Sequence, residues 1–227
     1  MGKLIEKKDL RDKLSVFKDR AEAGAVLAEM LRSYKGTDAI VFAIPSGGVP
    51  VAKEIAVALG LPMDLAIARK IQIPHNPEAG FGAIGPDGTT VINEPLLLRL
   101  GLTGAEVETQ IKKALEGVKR RERIFRSDAN FPNVAGKTVI VVDDGLASGY
   151  TMLAALRFVK KRNPSRLVAA VPTASKRAAE FILPDVDELY CPNIRSGFTF
   201  AVADAYEKWH DLSEDEVISI LKELESA

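Results

Sequence analysis

The chain has 227 residues, 47% of them apolar, which is enough for one well-buried α/β domain with an excursion but tight for two independent domains. Lys and Arg number 31 and Asp and Glu number 31, so the zero net charge favours neither nucleic acid nor an anionic membrane as partner, and any anion binding must be local. A single cysteine, Cys191, excludes an internal disulfide and a cysteine metal cluster and reads as a small buried hydrophobe, and the charged opening MGKLIEKKDL with no membrane-length apolar run leads us to expect a soluble, cytoplasmic protein.

Residues 17–34 carry Ala21, Val26, Leu27, Met30 and Leu31 at helical spacing, and Gly36 ends that pattern. Ala39–Ile44 reads as a buried strand running into the turn Pro45-Ser46-Gly47-Gly48-Val49-Pro50, then a helix Val51–Leu59 stopped by Gly60. Met63–Ala68 is a second strand ending at Arg69-Lys70, which completes a βαβ unit with parallel pairing and a right-handed crossover. Residues 71–90 then hold three prolines and four glycines, and Gly85-Pro86-Asp87-Gly88 is flanked by the extended candidates Phe81–Ile84 and Thr89–Ile92. A mobile loop leading into a hairpin across 71–92 is expected. Residues 105–125 place Val107, Ile111, Ala114, Leu115, Val118 and Phe125 on one helical face, with the basic run Lys119–Arg123 read as solvated. Thr138–Val142, Met152–Lys161, Leu167–Val171, Ser175–Ile182 and Asp187–Tyr190 continue the alternation of strand and helix.

The segment Thr138–Thr151 concentrates the chemistry. A β-branched strand ends in Asp143 and Asp144, and the small-residue turn Gly145-Leu146-Ala147-Ser148-Gly149 opens a helix at Tyr150 and Thr151. Such a turn can aim backbone N–H groups and the Ser148 and Thr151 hydroxyls at a phosphate over the positive end of a helix dipole. Two ionised acids accept hydrogen bonds only, so they suit vicinal hydroxyls and, through water, a hard divalent cation. A plain βα corner capped by a carboxylate is the simpler alternative. Ligands of open parallel sheets bind beyond the carboxyl ends of the strands, where Ser46-Gly47-Gly48, Arg69-Lys70 and Asp143–Thr151 would meet. Taken singly, the first is also a routine glycine-rich turn and the second a charged strand end.

In this order the three segments resemble type I phosphoribosyltransferases, and the motif at 138–151 resembles their site for 5-phosphoribosyl 1-pyrophosphate (PRPP). The resemblance covers about residues 39–172. Phe17–Gly24, Arg69-Lys70-Ile71 continuing to Asn76-Pro77-Glu78, and Phe198–Trp209 are similar to a group of phosphoribosyltransferases of unassigned acceptor. It implies a single parallel-sheet, Rossmann-like α/β domain: a core at about 39–190, a hairpin and helix excursion, and a hood at about 191–212. Two positions differ from the broad family, Gly145 where an aliphatic residue is usual and Ser46 where many relatives carry a basic one.

The implied activity is magnesium-dependent transfer of phosphoribose from PRPP to a nitrogenous acceptor, releasing pyrophosphate. The implied roles give the 5′-phosphate to Ala147, Ser148, Gly149, Tyr150 and Thr151, and the pyrophosphate to Ser46, Gly47, Gly48, Arg69 and Lys70. Asp143, Asp144 and Lys70 would be catalytic, with magnesium held mainly by PRPP and water and only indirectly by the two acids. The loop 72–90 would close over the reactants. In the hood, Phe198, Phe200 and Val202 would share a strand face, and Tyr206 and Trp209 would either stack a planar acceptor or close the sheet. His75 and His210 read as exposed passengers, no nucleic acid or membrane partner is expected, and a homo-oligomer stays open. A PRPP sensor using the same pocket, or a hydrolase of PRPP or a nucleoside phosphate, are the competing readings.

Overall fold

A computed structural model describes residues 2–126 and 131–225. β1 (Lys3–Ile5) precedes α1 (Arg20–Met30), β2 (Ile40–Ala43), α2 (Gly48–Leu59) and β3 (Met63–Leu65). The excursion comprises β4 (Arg69–Ile73), β5 (Asn76–Ile84), β6 (Thr90–Ile92), α3 (Glu94–Leu100) and α4 (Gly104–Phe125). The chain then returns through β7 (Thr138–Val142), α5 (Tyr150–Lys160), β8 (Arg166–Ala170), β9 (Thr173–Ser175), α6 (Lys176–Ile182), β10 (Glu188–Tyr190) and β11 (Asn193–Arg195) to α7 (Glu214–Glu225).

Six strands form one sheet in the order β1-β10-β8-β7-β2-β3, every pair parallel. The β-branched runs explain why it is covered on both faces. With a side-chain period of two, Ile40, Phe42, Val139, Val141, Leu167 and Ala169 join the apolar cluster of α5 and α6. Val41, Ala43, Ile140, Val142, Val168 and Ala170 join the opposite cluster, built with α1, α2, α4 and α7. α1 buries Arg20, Ala23, Gly24, Leu27 and Ala28 and crosses α2 at Gly24. Gly60 ends α2 as its pattern suggests, in the left-handed conformation at φ 63°. Among the described residues no helix is long and apolar enough to cross a membrane.

The excursion differs from expectation. Residues 71–73 and 76–80 are strand rather than irregular loop, with a tight turn at 74–75: β4 and β5 pair antiparallel with register shifts at Gln72, and β6 adds a third strand. Two of the four glycines serve close approach instead, since a side chain on Gly82 would strike the Val91 carbonyl of β6 and one on Gly80 the Lys70 side chain, while Gly88 at φ 80° keeps the expected turn. Phe81 and Ile71 are buried against the α4 cluster while Ala83 faces the α5 cluster, so the small sheet is gripped on both sides.

The expected strand at Phe198–Val202 is also absent. Arg195, 8% exposed, donates to the Ala201 carbonyl at 3.1 Å and to Asp204 at 3.0 Å, and this draws Val202–Ala205 into a 3-10 turn. Phe198 is left fully in solvent. β9 and β11 form a separate parallel pair, fixed by Asn193, whose amide donates to the Leu10 and Lys13 carbonyls while its oxygen accepts from Thr173.

A Cβ at Gly24 would lie 2.7 Å from the Val51 carbonyl oxygen and from the Glu54 Cβ. Gly24→Leu should therefore push α1 off α2 and cost about 1–3 kcal/mol, the usual range for overpacking. Thermal unfolding followed by circular dichroism should show a melting point lower by several degrees; an unchanged one would mean that the crossing can relax at no cost.

Candidate active site

β2 and β7 are neighbours in register, Ala43 opposite Val142, so the turns that follow them emerge side by side at the carboxyl edge of the sheet. Each turn opens a helix. α2 starts at Gly48 behind Gly47, and α5 starts at Tyr150 behind Gly149, whose φ is 82°, and neither helix has a side chain capping its first turn. Every other α-helix among the described residues is capped: α1 by Asp19, α3 by Asn93, α4 by Thr103, α6 by Ser175 and α7 by Ser213. The first amides of a helix seek an acceptor. The α5 amides face this edge without one, whereas at the α2 start the Gly48 and Val49 N–H groups donate to the Ile44 and Ser46 carbonyls and Pro50 has no N–H, so this turn contributes the Ser46 and Gly47 amides and the dipole end of α2 to a seat for anionic groups.

The loop before α5 is held without using its hydroxyls. The Leu146 N–H donates to the Thr173 carbonyl, and the Ser175 hydroxyl donates to the Ala147 carbonyl at 2.9 Å. Ala147 and Ser148 stay exposed while Gly149 is buried, and Tyr150 packs on Phe181 with ring centroids 4.9 Å apart.

Asp143 and Asp144 sit between the two helix starts. Asp143 Oδ1 accepts the Asp144 N–H at 2.9 Å. The Asp144 carboxylate lies in the space that a side chain at Gly47 would fill, so the acid and the α2 turn are packed directly together. Arg20 Nε donates to Asp144 Oδ2 at 2.9 Å, Nη2 lies 2.9 Å from the same oxygen, and 15% of the Asp144 side chain remains exposed. Burial raises both carboxyl pKa values. Repulsion by Asp144 pushes Asp143 further up, whereas the Arg20 guanidinium opposes the rise at Asp144.

Arg69 and Lys70 do not end a strand as a turn; they begin β4 and point to opposite faces. Arg69 lies across α4 at Gly117, where any side chain would collide with it, and Lys70 runs over Gly80. One turn beyond Gly117, Arg121 donates to the Pro45 carbonyl at 3.3 Å. The basic run at Lys119–Arg123 is thus not wholly solvated: burial and then the charge of Arg69 lower the Arg121 pKa, which sets two guanidiniums together at the base of the Pro45–Gly48 turn.

The hood is a closure rather than a free aromatic platform. Tyr206, 4% exposed, packs between Phe17 and Trp209 with centroids at 5.9 and 5.2 Å, and its hydroxyl donates to the Asp144 carbonyl at 2.7 Å. Val202 occupies the space above Gly145, where a Cβ would come within 2.6 Å of it. The unusual glycine after the acid pair is thereby explained: the hood fills the place of its side chain. His75 forms the hairpin tip at φ 62° and acts on Glu106 at the start of α4, while the His210 ring pairs with Glu216. Cys191 is fully buried and its thiol is pushed up by desolvation. Arg20, Arg121 and Tyr206 escape a reading by local pattern because their partners lie 124, 76 and 62 positions away.

Residues 17–207 match the phosphoribosyl transferase domain. The chain belongs to that family. A Mycobacterium tuberculosis protein provisionally named a phosphoribosyl transferase is 34% identical over 208 residues, which are 92% of this chain and 47% of that protein. The chain thus spans about half the length of this curated relative. The crystal structure of TT1426 from Thermus thermophilus is similar with a TM-score of 0.72 and 35% identity, over 91% of this chain and 98% of that one. A shorter match, 33% identical over 95 residues, is to a uracil phosphoribosyltransferase of Aquifex aeolicus and covers 37% of this chain and 46% of that protein.

If Val202 is seated by the absence of a side chain at Gly145, Gly145→Val should lift this part of the hood while sparing the sheet. Acrylamide quenching of Trp209, the chain's one tryptophan, should rise with the far-ultraviolet spectrum unchanged. Unaltered quenching would place the contact outside what holds the hood.

Proposed function

We propose that the chain transfers the phosphoribosyl group of PRPP to a nitrogenous acceptor with release of pyrophosphate. The observation that carries this reading is the pair of uncapped helix starts flanking the two acids at neighbouring strand ends. PRPP is a sugar diol with one phosphate at one end and a pyrophosphate at the other, so its charges and hydroxyls follow the same order as the site. The α5 start, with Ala147–Thr151, takes the 5′-phosphate. The α2 start, with Ser46, Gly47 and Gly48, takes the pyrophosphate, and Arg69, Lys70 and Arg121 add positive charge on that side.

The chemistry follows from where charge develops. As the bond to pyrophosphate breaks, the ribose carbon gains positive charge beside Asp143 and Asp144, and the leaving oxygens gain negative charge over the Ser46–Gly47 turn, the α2 dipole end and Lys70. Fixed dipoles need no reorganisation at that moment. No group of three or more His, Cys, Asp or Glu among the described residues could hold a metal by itself, and Asp144 is already bonded to Arg20. This donor set fits a magnesium ion carried by the PRPP oxygens and water, with Asp143 reaching it through water. Such an ion would supply charge neutralisation to the pyrophosphate.

The test is to incubate the protein with PRPP, magnesium and a panel of purine, pyrimidine and pyridine bases, following pyrophosphate. Release that requires one base is expected. Release without any base would make the chain a PRPP hydrolase, and tight PRPP binding with no turnover would make it a sensor. With an acceptor in hand, Lys70→Ala should lower kcat by about a hundredfold, the scale for one lost donor to developing charge, while weakening PRPP binding much less. An effect on KM alone would make Lys70 a ground-state anchor.

A further inference from the structure

Arg20 is 7% exposed and is held by three partners. Its Nε and Nη2 both engage Asp144 Oδ2 at 2.9 Å, Nη1 donates to the His210 carbonyl at 2.9 Å, and the guanidinium carbon lies 3.9 Å from the centre of the Trp209 ring. Asp19 caps the helix that carries it. A lone buried ion pair contributes little net stability, because desolvation offsets most of the attraction. This pair does something more specific. Both contacts fall on one carboxylate oxygen, so Oδ2 is pinned against Gly47 while Oδ1 takes none of Arg20's bonds, and the Tyr206 hydroxyl fixes the backbone of the same residue from the hood side.

We propose that Arg20 is a positioning residue that sets the Asp144 carboxylate for the ribose hydroxyls and makes the acid and the Tyr206–His210 part of the hood a single mechanical unit. The two acids are then unequal. Asp143 is held by its neighbour, through the Asp144 N–H and carboxyl, whereas Asp144 carries the Arg20 and Tyr206 contacts on which the hood hangs. A change at Asp144 is transmitted through one guanidinium to Trp209, and loss of Arg20 weakens a ligand it never touches. This extension rests on the PRPP reading for the identity of the ligand, but its coupling of acid to hood is independent of it.

Two measurements on Arg20→Gln, Arg20→Lys, Asp144→Asn and Asp143→Asn separate these points. In the ligand-free protein, acrylamide quenching of Trp209 should rise about equally in Arg20→Gln and Asp144→Asn, each removing the charge-assisted contact, and stay at the parent value in Asp143→Asn. In calorimetric titration with PRPP and magnesium, Arg20→Gln should weaken binding at least roughly tenfold, the least expected when a charge-assisted bond is lost at the carboxylate, and Arg20→Lys should recover part of both signals. Unchanged PRPP affinity in Arg20→Gln would reduce Arg20 to a brace of the hood and overturn its positioning role. Equal quenching in Asp143→Asn and Asp144→Asn would overturn the asymmetry of the acids. Should the parent protein fail to bind PRPP, the phosphoribosyl reading falls, and the quenching series alone then decides whether acid and hood are coupled. If Arg20→Gln does not fold, Arg20→Lys and Asp144→Asn carry the same comparison.

Discussion

The in-register parallel pairing of Ile40–Ala43 with Val139–Val142 is the constraint on which the rest of the molecule depends. It brings two strand ends to one edge, and each end must turn at once into a helix packed on the sheet. Gly47 and Gly149 make those turns without offering a side-chain cap; the first amides of α5 stay without one, while those of α2 turn back to the Ile44 and Ser46 carbonyls. A fold normally satisfies such groups, as five other helices of this chain do with Asp, Asn, Thr or Ser. With α5 left without a side-chain cap beside the positive dipole end of α2, above a sheet whose strands are otherwise packed on both faces, the edge suits an anionic ligand.

The acids between those helices create the opposite problem. Two carboxyl groups drawn from water resist ionisation: burial raises both pKa values, and at Asp143 repulsion by Asp144 adds to it. Arg20 favours the charged form of both but is hydrogen-bonded to Asp144. The burial of its own charge is offset in turn by Asp144, the His210 carbonyl and the face of Trp209, so elements from both ends of the chain are recruited to the centre of the site. The hood is therefore part of the electrostatic solution at the acid pair as well as a cover for the sheet edge.

The sequence made the central strands and helices legible because their signals are local. Thr138–Val142 has the same limits in the structure as in its pattern, and the period of two sends its residues to the correct opposite faces. Short edge elements such as Lys3–Ile5 and Asn193–Arg195 were not legible, since three residues carry no period and only a neighbouring strand makes them extended. The excursion misled for a different reason. Glycine marks either a flexible turn or a place where two backbones approach, and at Gly82 the neighbour β6 decides for the second. At the site, the acid pair and the two glycine turns could be read directly. Arg20, Arg121 and Tyr206 could not, because a buried cation or hydroxyl is recognised by its partner and those partners are remote in sequence.

The same division bears on specificity within the family. Residues 202–210 are locked: Val202 over Gly145, Tyr206 on Asp144, and the His210 carbonyl and Trp209 on Arg20. Residues 196–200 are tied to none of these; Phe198 stands in solvent and the Phe200 ring lies 5.0 Å from the Arg195 guanidinium at the outer rim. Under the proposed transfer, the PRPP half of the site is built from parts that cannot vary independently, since a change at any one disturbs the acid pair. The rim at 196–200 is free of that constraint. Aromatic and charged residues can be exchanged on this segment without disturbing the acid pair, which makes it the part of the hood with most freedom to vary.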